Sequence, residues 1–222
     1  MPSNKVVVYA GTRNLYEDMV PAYRSLLANT DVDRVILLIE DDAFPYPMPD
    51  KVEAVNVSGQ TFFSKDSPNY HSAWTYMSLM RLALPLMYPD LDRVLYLDVD
   101  TIVERDISEL FELEFGGCYF AAVPEYAKSN DDRLYVNAGV LLLNMKKLRD
   151  GMAQELIDEA NAAYHQYPDQ DVINLMCKGY IYPLHGDFNA TAFTRHSMEA
   201  KIIHFAGLPY WRNQTQVRRY SL

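Results

Sequence analysis

Short, unbroken apolar runs alternate with helical repeats through the first half of the chain. Residues 5–9 carry Val6, Val7 and Val8 in succession, and residues 34–39 repeat the habit. Runs of this kind predict strands buried on both faces. Residues 53–57 predict a third, weaker strand. Between the first two, Leu15, Met19, Ala22, Tyr23, Leu26 and Leu27 recur at helical spacing, which predicts a helix over 15–27 ending near Asn29. Pro45, Pro47 and Pro49 make residues 42–50 a loop.

Further along, the pattern predicts an aromatic-rich helix over 69–84 stopped by Pro85, a strand over 93–97 and a short helix over 106–113. Strands follow over 119–123 and 139–143, then helices over 146–164 and 169–177, and a late strand over 201–205. The polar stretch from Glu125 to Arg133 reads as a surface loop between two strands. Strands separated by helices predict an α/β fold with a mostly parallel central sheet flanked by helices. No linker interrupts the pattern, so residues 1–222 read as one domain.

Charge narrows the choice of partner. A formal net charge of −10 repels a phosphate backbone, so nucleic acid is not an expected partner. A nucleotide diphosphate is also an anion, and binding one here requires local cations or a bound metal. The 17 tyrosines allow two readings, semi-buried packing or flat faces for sugars and bases. Cys118 and Cys177 lie far apart in no metal-like spacing and read as packing thiols of a reducing compartment, with one disulfide as the alternative. The apolar run Val6–Ala10 is too short for a signal-peptide core, and no stretch approaches a membrane span, so a cytoplasmic location is expected. The basic-aromatic ending, residues 211–222, reads as a solvated terminus, with peripheral membrane contact as its alternative.

Four Asp-x-Asp triplets occur, at Asp31/Asp33, Asp90/Asp92, Asp98/Asp100 and Asp169/Asp171. By pattern alone each is a turn, a cap or a solvated face. Asp98 and Asp100 differ in following a buried strand directly. In extended chain, residues i and i+2 project to one side, so both carboxylates can reach one cation. Ligands of open α/β sheets bind beyond the carboxyl ends of the strands, and Mn²⁺ and Mg²⁺ prefer carboxylate oxygens.

The run Arg93-Val94-Leu95-Tyr96-Leu97-Asp98-Val99-Asp100-Thr101-Ile102-Val103 resembles the metal-binding segment of glycosyltransferase family 8. Other segments match in order over nearly the whole chain. The resemblance implies a GT-A fold and transfer of a hexose from a UDP-sugar, UDP-glucose or UDP-galactose, with retention of anomeric configuration. It also implies dependence on Mn²⁺ or Mg²⁺. Val8-Tyr9-Ala10-Gly11-Thr12-Arg13-Asn14-Leu15-Tyr16 is similar to the uridine-binding turn, with Ala10 and Thr12 on base and ribose and Tyr16 against the uracil. Packing at a helix start is the plain reading of Tyr16.

Arg81 matches a basic residue that supports the donor, and Val99 belongs to the donor-binding triplet. Asn137 and Gly139, in Val136-Asn137-Ala138-Gly139-Val140, resemble an acceptor-side or sugar-side turn feeding a strand. Asp169 and Gln170 match an Asp-Gln pair that approaches the donor sugar, although Asp169 is equally placed as a helix cap. By the same resemblance Asn137, Asp169 and Gln170 form the catalytic set. Asn189 aligns with a family asparagine, and His204 and Gly207 resemble the third metal ligand and a conserved-looking glycine turn. One departure stands out. The family's lysine after that glycine is replaced by Tyr210, leaving Arg212 to supply the charge or the diphosphate grip weakened.

The acceptor implied is a glycan, lipid-linked or protein group, and self-association stays open. Two other readings remain at this point. A sugar-nucleotide nucleotidyltransferase would carry a Gly-rich basic phosphate loop, of which Gly11-Thr12-Arg13 is a poor version. A catalytically idle nucleotide-sugar-binding module would bind without turnover.

Overall fold

The computed structural model describes residues 5–129 and 134–222, and the last part of the polar stretch from Glu125 to Arg133 lies outside the described residues. The strands in chain order are β1 (Val6–Ala10), β2 (Arg34–Ile39), β3 (Val52–Asn56), β4 (Arg93–Leu97), β5 (Thr101–Val103), β6 (Phe120–Pro124), β7 (Val136–Asn144), β8 (Ile181–Pro183) and β9 (Ile202–His204). The helices are α1 (Tyr16–Asn29), α2 (Thr75–Met87), α3 (Glu109–Glu112), α4 (Met145–Leu148), α5 (Met152–Ala162), α6 (Pro168–Met176) and α7 (Thr215–Tyr220).

Seven strands form one sheet in the order β3-β2-β1-β4-β7-β6-β8. All run parallel except β7, which is antiparallel to both β4 and β6. The expected mostly parallel sheet is therefore observed. The reversal of β7 matters for function: its beginning, not its end, reaches the edge where β1, β4 and β6 finish.

Both faces of the sheet are covered, which is why its strands read as continuous apolar runs. Along β1, Val6, Val8 and Ala10 join a core with Leu79, Met80, Leu156 and Ile173 of α2, α5 and α6. Val7 and Tyr9 point the other way and join Met19, Tyr23 and Leu26 of α1. Each such aliphatic side chain contributes roughly 1.5–3 kcal/mol by leaving water.

Several predicted boundaries move, for physical reasons. The helix expected over 69–84 starts only at Thr75 and runs through Pro85 to Met87. Pro85 removes the N–H that would reach the Arg81 carbonyl, and the helix runs only to Met87 beyond it. Asn69 is a tertiary strut instead: its buried amide donates to the Ala160 and Ala163 carbonyls, both at 2.7 Å. The helix expected over 146–164 is split into α4 and α5 at Gly151, whose φ of +118° no side-chain-bearing residue adopts readily.

The ending is not a solvated tail. Val217 of α7 and Trp211 are buried with Ile102 and Phe205, and Arg212 forms an ion pair with buried Asp18, its Nε 2.6 Å from Oδ1. Arg219 pairs with Glu104 at 2.9 Å. Cys118 and Cys177 are both free. Among the described residues no helix is long and apolar enough to cross a membrane.

Candidate active site

β4 leaves the sheet at Asp98, and the exit is fixed by backbone bonds. The Asp98 N–H donates to the Gly139 carbonyl at 2.8 Å, and the Thr101 hydroxyl donates to the Asp98 carbonyl at 2.7 Å. Val99 and Asp100 form a turn, closed by the Thr101 N–H on the Asp98 carbonyl at 3.2 Å, and the turn brings the Asp98 and Asp100 carboxylates to one histidine. The two-stranded ribbon of β5 and β9 pairs Thr101 with His204, and the Phe205 N–H donates to the Asp100 carbonyl at 3.0 Å. That register carries a histidine about a hundred residues downstream onto the carboxylate pair.

His204 Nε2 lies 3.2 Å from Asp100 Oδ1 and 3.7 Å from Asp98 Oδ2. One ligand atom from each of the three residues lies within 4.8 Å of the others. Two hard carboxylates and one imidazole nitrogen suit Mn²⁺ or Mg²⁺. Gly139 is required beside them, since a Cβ there would stand 2.1 Å from His204 Cε1 and 2.8 Å from Asp98 Oδ2. Burial disfavours charge on Asp100 and His204 alike, but each is the other's main counterion. The Asp100 pKa is therefore held below the ordinary carboxylate value and that of His204 above the ordinary imidazole value.

Arg81, on α2, is 3 % exposed and fully engaged. Its guanidinium reaches Asp98 Oδ1 at 2.8 Å, Asp169 Oδ2 at 3.1 Å, the Tyr96 hydroxyl at 3.1 Å and the carbonyl of Ala138. It lies over the Tyr96 ring at 4.1 Å. Burial opposes its charge, yet Asp169 and Asp98 outweigh that and keep it protonated. Burial also raises the Asp169 pKa, with Arg81 opposing. Arg81 is thus a strut joining β4, β7 and α6. Asp169 serves as its partner and does not cap α6, whose N-cap position is Tyr167.

Gln170 accepts from the Ala138 N–H at 3.0 Å and donates to Glu125 Oε1 and the Tyr135 hydroxyl, each at 3.2 Å. Asn137 donates to the same Glu125 oxygen at 3.0 Å. Glu125 was assigned to a surface loop by its polar neighbours, but it is 5 % exposed and holds both amides. The signal that identifies it is positional. Glu125 follows buried β6 as Asp98 follows buried β4, and the two strands point the same way. Lys128 sits 3.1 Å from Glu125 Oε2 and 4.2 Å above the Tyr167 ring.

These groups line a single cleft of about 670 Å³. Ala10 and Thr12 enter it from the end of β1, and Arg81, Asp98, Val99, Asp100, Asn137, Gly139, Asp169, Gln170, His204 and Gly207 complete the expected set. Tyr16 is the exception. Its ring packs on Phe44 at 5.5 Å, and its hydroxyl donates to Asp41 and accepts from the Glu40 N–H. Arg212, bound to Asp18, does not line the cleft, and the lining cations among the described residues are Arg81 and Lys128. Two tryptophans also line the cleft: Trp74 is 50 % exposed beside Tyr167, and Trp211 is buried against Phe205.

Known proteins share both sequence and fold with this chain. It is 32% identical over 145 residues to the lipopolysaccharide 1,2-glucosyltransferase of Escherichia coli K12, covering 58% of this chain and 42% of that protein. It is 27% identical over 198 residues to the glycosyltransferase GlyE of Streptococcus pneumoniae, covering 84% and 48%. The chain thus spans less than half the length of these curated relatives. The galactosyltransferase LgtC, solved with donor and acceptor sugar analogs, superposes with a TM-score of 0.72 at 22% identity over 97% of this chain and 93% of that one. The bifunctional glycosyltransferase WbbM gives 0.72 at 18% identity, covering 93% and 46%. These likenesses identify the fold as GT-A. The sequence profile of glycosyl transferase family 8 matches residues 39–214, a span that holds the Asp98–Asp100–His204 corner, Glu125 and Gln170, and the chain belongs to that family.

Proposed function

We propose that this chain transfers a hexose from a UDP-sugar, UDP-glucose or UDP-galactose, to a glycan acceptor with retention of configuration, using a divalent cation. The observation that carries the reading is the convergence of Asp98, Asp100 and His204 at the cleft that also receives the end of β1. The relatives named for glucosyl and galactosyl transfer support a hexose donor.

Asp98, Asp100 and His204 would hold the cation, Mn²⁺ or Mg²⁺. When bound, it supplies Lewis-acid stabilisation of the charge on the departing diphosphate. It also answers the electrostatic problem of an acidic chain whose Arg212 is committed elsewhere. Ala10 and Thr12 receive the nucleoside, while Gln170 orients sugar hydroxyls through the second lone pair of its amide oxygen and Asn137 through its second N–H. Retention by same-face attack is favoured over a double displacement, because the buried carboxylates beyond the metal corner are engaged. Asp169 is paired with Arg81, and Glu125 serves two amides and Lys128.

UDP release by hydrolysis needs no acceptor and tests the reading directly. Mn²⁺ should support release from UDP-glucose or UDP-galactose, and EDTA or Asp100→Asn should abolish it. Release that survives either treatment in full would overturn the proposal.

A further inference from the structure

Behind the metal corner runs a line of buried amides whose directions are all determined. The Gly139 N–H can only donate, and it donates to Asn137 Oδ1 at 3.0 Å. Asn137 Nδ2 must then face the other way, where it donates to the Glu125 carboxylate at 3.0 Å. Asn189 Nδ2 also donates to Asn137 Oδ1, at 2.9 Å. This leaves Asn189 Oδ1 facing His204 Nδ1, 2.9 Å away. A carbonyl oxygen cannot donate, so His204 Nδ1 must carry a hydrogen.

Asn189 has no exposed surface and does not line the cleft, so its side chain is unavailable to substrate. Its place is built deliberately tight. The Asn189 N–H donates to the Gly186 carbonyl, the Thr194 hydroxyl donates to the Asn189 carbonyl, and a Cβ at Gly186 would fall 1.6 Å from the Arg195 carbonyl oxygen. Each of the four bonds along this line joins a donor to an acceptor.

We propose that Asn137 and Asn189 form a one-way hydrogen-bond relay, anchored at the Gly139 N–H and the Glu125 carboxylate, that fixes His204 as the Nδ1–H tautomer and reserves Nε2 for the cation. The relay rests on the proposed cation site, and it extends the role of Asn137 beyond a sugar contact. Both asparagines are positioning residues, acting through His204. Outer partners of metal-bound histidines fix tautomer and ring orientation in this way, and their loss lowers metal affinity by roughly 10–100-fold.

The test uses the whole chain and Mn²⁺ alone. Titration of free Mn²⁺ by electron paramagnetic resonance should give a Kd roughly 10–100-fold weaker for Asn189→Leu than for the unaltered protein, and a smaller loss for Asn137→Leu. Nitrogen-15 NMR of the unaltered protein loaded with diamagnetic Mg²⁺ provides a readout that needs no variant. It should find a hydrogen on Nδ1 of His204, with the nitrogen signature of a ligated Nε2. An Asn189→Leu affinity equal to that of the unaltered protein would overturn the relay, as would ligation through Nδ1. Absence of Mn²⁺ binding by the unaltered protein would instead strike the cation site itself, so the two failures are distinguishable.

Discussion

Two Asp-x-Asp triplets meet at the same cleft and behave in opposite ways. Asp98-Val99-Asp100 leaves a strand into a turn closed by the Thr101 N–H on the Asp98 carbonyl at 3.2 Å, and its two carboxylates face one imidazole at 3.7 and 3.2 Å. Asp169-Gln170-Asp171 opens α6, where residues two apart point in divergent directions. Asp169 turns to Arg81, while Asp171 accepts from the Tyr135 hydroxyl and, at 2.9 Å, from the Tyr167 N–H. The middle residue differs in chemistry as well: Val99 is apolar and packs on the α1-side core, whereas Gln170 carries an amide into the cleft. Local backbone geometry, a turn in one triplet and a helix in the other, decides whether the two carboxylates of the pattern converge. The first triplet makes a convergent carboxylate pair, and the second makes two separate supports around a central amide.

This contrast can be broken experimentally. Asp169→Ala should have the largest effect, a loss of about 3–5 kcal/mol in urea unfolding without added cation, because it strips a buried guanidinium of one of its counterions. If it instead abolished Mn²⁺ binding while sparing stability, the helix-borne triplet would be a ligand pair like the first. Asp100→Asn should weaken Mn²⁺ binding by about 100-fold or more, roughly 2.7 kcal/mol, since a ligand counts for at least as much as its outer partners. Unchanged Mn²⁺ affinity, read by paramagnetic resonance, would remove the distinction from the other side. Asp171→Asn should cost about 1–2 kcal/mol of unfolding free energy through the Tyr135 and Tyr167 bonds. Asp31→Asn, in a triplet ahead of β2, removes an exposed pair with Lys51 at 2.8 Å and should leave the thermal midpoint where it was.

Much of the frame was legible because it depends on local pattern. β1, β2 and β4 are runs that only a doubly covered sheet explains, and Asp98 lies at the end of one of them. His204 was readable as a candidate ligand by resemblance alone, because the late strand that carries it is legible but its pairing with three-residue β5 is set in the fold and not in local pattern. Glu125 was hidden by its neighbours in sequence, which are polar, whereas its neighbours in space are the two amides it holds. The reach of Asn137 and Gly139 into the cleft follows from the reversal of β7, a pairing decision made in the sheet as a whole and not in residues 136–139. Arg212 could be placed near the missing lysine by counting, but its choice of Asp18 depends on α1 lying beneath the chain's last turns.

Trp74 and Trp211 are the chain's two tryptophans, and both line the cleft, the first half in water and the second shielded. They are therefore native fluorophores with unlike starting environments in one site. A soluble quencher should reach the first and spare the second, and emission from the unmodified chain can report a ligand that covers the exposed one.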